Sequence, residues 1–370
     1  MSTLKRIPPN FFAMPFGLAG LGGVWRLEAI YGRAPGGIAD ALFITAAIAW
    51  LTIALGCLAR WVQTPRLIFS EVTDPVLAPF WALPLIVGMQ LSVALQPHAG
   101  GLARVCFEVF LALTVLFGGW ITGQWLTGQL KPGQLHPGYF LPTVAGGLIG
   151  AQGTTAFGLT GLGWMSFGIG IVCWLLLGSL VVNRLMFSEL PPPGLLPTLA
   201  IELAPPSVAG GAYFALHGPR PDTVAYGLAG YAALMVIAQL RFLPIYLRLH
   251  FVAGFWSFAF SWCAVAALAL RWLEVEHPSG AAALADVVAA AVSALVAGIA
   301  ARSLVAIAGH TFLPPPPSLP GRASELRAEV EQIAIGDAVA GQGPATHTPL
   351  RRRSDLSSST QTAHIERPTQ

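Results

Sequence analysis

Ten stretches of this chain are each about the length of one membrane crossing, largely apolar and without strict alternation, and no other feature limits the fold as much. They run over 10–30, 38–59, 75–96, 101–124, 138–160, 163–183, 194–217, 222–245, 250–272 and 281–309. A bilayer leaves no unpaired backbone polar group unpunished, so such runs must be helices or strands of a closed barrel. Runs this long without a period of two argue for helices. Only 10% of the 370 residues are charged, against about 25% in a typical soluble domain. The chain cannot clothe a soluble globule of this size in polar groups. A soluble enzyme, a disordered protein and a nucleic-acid binder are excluded together.

The expected architecture is an all-α integral membrane protein of ten transmembrane helices. Turn-rich segments at 131–137, 188–194 and 218–222 separate the crossings. Residues 1–9 read as a cytoplasmic N-terminus and 10–309 as the membrane domain. The first apolar stretch has no A-x-A cleavage site, so it reads as a mature segment. A proline run at 314–317 ends the membrane part, and 314–370 reads as a disordered cytoplasmic tail. The charge is uneven: the first 313 residues carry only 25 charged side chains. With ten crossings both termini lie on one side. Nine Lys and Arg residues before the tail fall on that side and five on the other, which places the termini in the cytoplasm. Ser354 follows three arginines and reads either as a regulatory phosphorylation site or as part of an unconstrained end.

A repeat is written in the prolines. Pro15, Pro84, Pro142 and Pro205 fall inside the first, third, fifth and seventh stretches, at intervals of 69, 58 and 63 residues. Each interval matches one helical hairpin. The surrounding sequences agree loosely: FFAMPFGLAG (11–20), FWALPLIVG (80–88), YFLPTVAGG (139–147) and IELAPPSVAGG (201–211). Proline removes a donor and bends a helix, while glycine lets backbones approach or leaves volume open. The odd stretches are therefore expected to form an inner ring and the even ones an outer ring. The ninth stretch, where a fifth member is due, has no interior proline and carries the aromatic cluster GFWSFAFSW (254–262) instead. Small residues around one aromatic member suggest a plugged pore.

The polar residues exclude several chemistries. The first, third, fifth and ninth stretches have no charge in their interiors, which suits neither an acidic cation filter nor a carboxylate proton relay. Arg104 and Glu108 are spaced to pair along one helix. Glu202, three residues before Pro205, is either a residue near the inner mouth or a proton-coupling group. The histidines do not cluster, and Cys57, Cys106, Cys173 and Cys263 sit singly in apolar runs, so no metal site is expected. No G-x-S-x-G or P-loop is present, and no cofactor is expected.

Five segments then carry a resemblance. PPNFFAMPFGLAGL (8–21), HPGYFLPTVAGG (136–147), LAP (203–205), LRFLP (240–244) and GFWSFAFSW (254–262) occur in register over about residues 8–309. In this the chain resembles the tellurite-resistance/dicarboxylate transporter family, the group of TehA-like proteins and plant slow-type anion channels. The resemblance implies five helical hairpins around one pore per subunit, a homotrimer of independent pores, and a pore gate at Phe260. It carries the kinking prolines onto Pro15, Pro84, Pro142 and Pro205. It places a small pore-lining residue at Ala13, where relatives often have glycine. Glu202 stands where the family has an apolar residue. The implied function is a channel or channel-like transporter in a bacterial inner membrane, passing small monovalent anions such as chloride and nitrate. The alternative is a proton-coupled carrier of C4-dicarboxylates, sulfite or tellurite-like oxyanions, with Glu202 as coupling group. A membrane enzyme or assembly scaffold is disfavoured by the lack of a polar cluster.

Overall fold

A computed structural model of the chain describes residues 7–309, except Gln129 and Pro193, together with Phe312, all within a unit spanning Met1–Pro315. The expected tail at 314–370, with Ser354, and residues 1–6 of the expected N-terminus lie outside the described residues. No strand occurs among the described residues. The crossings are α1 (Ala13–Ile30), α2 (Gly36–Gln63), α4 (Leu83–Leu95), α5 (Gly100–Leu126), α6 (Gly146–Thr154), α7 (Thr160–Phe187), α8 (Ala204–His217), α9 (Thr223–Tyr246), α10 (Trp256–Glu276) and α11 (Ala281–Ala308). A short helix, α3 (Pro65–Thr73), links the second and third. Among the described residues, eight of these ten are long and apolar enough to cross a bilayer when counted with their lead-in turns. The other two have local reasons to fall short. The 18-residue α1 includes Arg26, Glu28 and several glycines. The fifth crossing is divided into a π turn, the nine-residue α6 and a 3₁₀ turn.

Each odd crossing packs on the even one that follows it: α1 on α2, α4 on α5, α6 on α7, α8 on α9 and α10 on α11. The odd members also touch one another in a closed circuit, α1 to α4 to α6 to α8 to α10 and back to α1. The third, seventh and ninth crossings have 56%, 83% and 56% of their residues buried, whereas the five even crossings have only 11–28%. The two rings expected from the proline repeat are thus real. The exposed side of the outer ring is rich in Leu, Ile, Val, Met and Phe, as a lipid-facing surface requires.

The prolines sit where the helical pitch changes. A 3₁₀ turn leads into α1 (Pro9–Phe12), α4 (Ala78–Ala82), α8 (Leu196–Leu203) and α10 (Ala253–Phe255). A π turn (Leu141–Ala145) leads into α6. Pro15, Pro84 and Pro205 fall in the first turn of their α segments, and Pro142 falls in the π turn. A residue without an N–H is tolerated at such a junction, where the hydrogen-bond pattern switches.

Several hydroxyl groups in the crossings are satisfied locally. The hydroxyls of Thr45, Thr52, Thr114, Thr122 and Ser179 each donate to the carbonyl four residues back at 2.7–2.8 Å. Between helices, Trp25 donates to Ser293 (3.0 Å) and Trp256 to Ser303 (2.9 Å), tying α1 and α10 to α11. The expected Arg104–Glu108 pair forms at 2.9 Å on the exposed side of α5. The closest backbone approach joins α6 to α7. A Cβ on Gly147 would lie 2.7 Å from the Gly170 nitrogen, so only glycine fits there.

Candidate permeation pathway

Two cavities lie along the axis of the inner ring. The smaller, of about 100 Å³, lies near the N-terminal ends of the odd helices. Its wall is almost wholly apolar, with Ala13, Phe16, Phe80, Phe140, Ile201 and Val208 on it. The larger, of about 420 Å³, lies near the C-terminal ends of the same helices. Its wall mixes Ala19, Gly20 and Val208 with Gln90, Gln152, Arg26 and Arg271.

Phe260 belongs to both walls. It is 7% exposed and stacks on Phe16 with ring centroids 3.6 Å apart and planes 15° from parallel. α1 makes room for it with Gly20, where a Cβ would come within 3.1 Å of Phe260 Cδ2. Trp256 also lines the smaller cavity while its Nε1 donates to Ser303 on α11, and Phe258 meets Tyr246 on α9 edge-on at 4.7 Å. Of these three rings, Phe260 is the one that lines both cavities.

The remaining expected site residues divide. Ala13 and Pro205 are on the wall of the smaller cavity. Pro15, Pro84 and Pro142 line neither cavity, although their neighbours Phe16, Leu83 and Leu141 do. The Pro84 carbonyl faces α2, where it accepts from Trp50 Nε1 at 2.9 Å. Glu202 also lines neither cavity. Its Oε1 is buried without a hydrogen-bond partner. Ile201 and Ala204 on either side of it face the smaller cavity. The described residues hold no group of three or more His, Cys, Asp or Glu able to bind a metal ion.

Sequence reasoning missed the polar wall of the larger cavity, and with it Arg26 and Arg271. Both had been counted only as charges at the ends of crossings. A signal exists: Phe260, Cys263, Ala264, Ala267, Leu268 and Arg271 all line that cavity at helical spacing. Eleven residues are close to three full turns, so Arg271 stands directly along α10 from Phe260. Arg26 is neutralised by Asp40 at 2.7 Å.

The family model described as SLAC1, voltage-dependent anion channel, matches residues 6–306. The chain is also 27% identical over 266 residues to the tellurite resistance protein TehA homolog of Haemophilus influenzae, an alignment covering 70% of this chain and 79% of that protein.

Proposed function

The chain belongs to the SLAC1 voltage-dependent anion channel family, and from that premise we propose that it passes small monovalent anions, chloride and nitrate among them, through the centre of each subunit, with Phe260 as the gate. The observation that supports this reading is that Phe260, together with Val208, lines both cavities. The smaller cavity is apolar on nearly every side, so an ion entering it must shed water without receiving a full replacement shell. Such a constriction excludes ions by staying dry, and a ring across it closes the remaining path by bulk. Anions that dehydrate easily are then favoured, with nitrate ahead of chloride. The larger cavity is the wet vestibule, where arginine and amide groups offset the negative charge of the ion.

The protein resides in the bacterial inner membrane, and its termini and smaller cavity face the cytoplasm. It assembles as a homotrimer with one pore per subunit. Both placements rest on the charge distribution and on the family. Carriage of a C4-dicarboxylate, sulfite or tellurite-like oxyanion by proton coupling would require Glu202 to exchange protons with the lumen. Its absence from both cavity walls disfavours that route.

Phe260→Ala joins the two cavities. A barrier lowered by about 1.4 kcal/mol multiplies a rate tenfold, and an increase of at least that order in anion conductance is expected in oocytes or planar bilayers. Equal currents from wild type and mutant at equal surface expression would refute the gate.

A further inference from the structure

We propose that Arg271, Gln152 and Gln90 form an anion-binding site in the larger cavity, one that holds the ion before it meets Phe260. The proposal rests on the anion-channel reading above and adds a specific capture site to it. The three side chains come from three different inner helices, α10, α6 and α4, and all line the same cavity. None has a hydrogen bond to another described group. The Arg271 Nε and the Gln90 Oε1 are shut from solvent and unpaired. Arg271 has no carboxylate partner among the described residues. Arg26 is matched by Asp40, and Glu274, one turn beyond Arg271, is held by Arg33 at 3.0 Å. The cavity therefore contains one uncompensated cation.

Gly211 on α8 keeps the space between the donors open. A Cβ there would sit 3.9 Å from the Arg271 Nε and 3.8 Å from the Gln152 amide oxygen, so the two groups flank a gap that glycine leaves free. The Gln152 amide can turn its NH₂ toward that gap, since neither end is committed elsewhere. A guanidinium in a partly enclosed site without a counter-charge is costly, and a small anion bound between guanidinium and amides removes that cost through charge-assisted hydrogen bonds. The group bound is a halide or a small monovalent oxyanion. The cavity has no further unpaired cation with which to grip a dianion.

The test has two readouts on the full-length protein. In the Phe260→Ala background, current is recorded against chloride concentration. Arg271→Gln is expected to raise the half-saturating concentration about tenfold, the value of one charge-assisted hydrogen bond. Arg271→Lys retains most of the affinity, and Gln152→Leu raises the half-saturating concentration several-fold. In crystals grown in bromide, an anomalous peak is expected between Arg271 and Gln152 and is lost in Arg271→Gln. Unchanged half-saturation in Arg271→Gln, or a bromide peak that persists there, overturns the site. If Arg271→Gln does not fold, Gln152→Leu decides, and unchanged half-saturation in it is equally fatal. Absence of any anion current in Phe260→Ala would count against permeation itself, while the bromide peak would still decide the binding site.

Discussion

His136 shows how a single residue fixes its own protonation state. It sits at the mouth of the fifth crossing, 2% exposed, with Nε2 donating to the Val76 carbonyl (3.2 Å) and Nδ1 accepting from the Gly138 N–H (3.1 Å). Both nitrogens are engaged only if the ring is neutral. Burial is the main force holding its pKa down, to about 4 from an ordinary 6.5, and the charge of Arg184 acts in the same direction. The unfolded chain therefore binds the proton first, and stability is complete above the ordinary value. It declines as pH falls from about 6.5 to about 4, by about 3 kcal/mol in all. Asparagine can reproduce the Nδ1 acceptor but cannot titrate. His136→Asn should unfold earlier at neutral pH and lose this part of the acid dependence, as thermal melts in detergent between pH 7 and pH 4 would reveal. An equally steep acid loss in that variant would assign the dependence elsewhere. Individual residues differ in how far sequence exposes them. The aromatic cluster at 254–262 is legible because it breaks the proline repeat, while Phe260 within it is singled out only by the family resemblance. The inward face of Arg271 is concealed by its place near a helix end, where an arginine ordinarily reaches the interface. Glu202 cannot be oriented from sequence because apolar residues flank it on both sides.

Among the elements, the short fifth crossing depends most on close packing. Its glycines at 146, 147, 150 and 153 each face a neighbouring helix, and at Gly147 the facing atoms are backbone atoms that cannot move aside. Gly147→Ala is expected to cost about 1–3 kcal/mol, the usual range for overpacking. Gly168→Ala on α7 is the control, since nothing lies within 4 Å of its added methyl. It should be neutral or slightly stabilising, because alanine favours helix. Comparison of the two melting temperatures checks the account, and a Gly147→Ala melt equal to that of Gly168→Ala would contradict it. At this scale the ten crossings and their inner and outer assignment can be read from apolar length and from prolines repeating about every hairpin. The prolines mark where four of the five inner helices change pitch, but which kind of turn each uses cannot be read. A 3₁₀ or π turn differs from an α turn by one hydrogen-bond register, and tertiary packing selects between them.

The whole molecule closes its circuit within one chain. The contact of α10 with α1 completes the inner ring, and both cavities are lined by residues of all five inner helices. However many subunits associate, each pathway should then open or close according to its own Phe260. Co-expression of wild type with Phe260→Ala tests this independence. In the proposed trimer, assemblies that contain one, two or three mutant subunits should give single-channel currents at one, two or three multiples of a common step, each step equal in size whatever its neighbours. Their frequencies should follow the mixing ratio. A pore shared between subunits predicts otherwise, because one wild-type ring would then block the common path and intermediate levels would vanish or shrink. The exposed, apolar outer ring leads to the same expectation from the opposite direction. Its helices can meet lipid or another copy without disturbing the inner circuit, because few of their residues are buried in the subunit itself. On the proposed reading, association uses the outer surface and each subunit is expected to conduct alone.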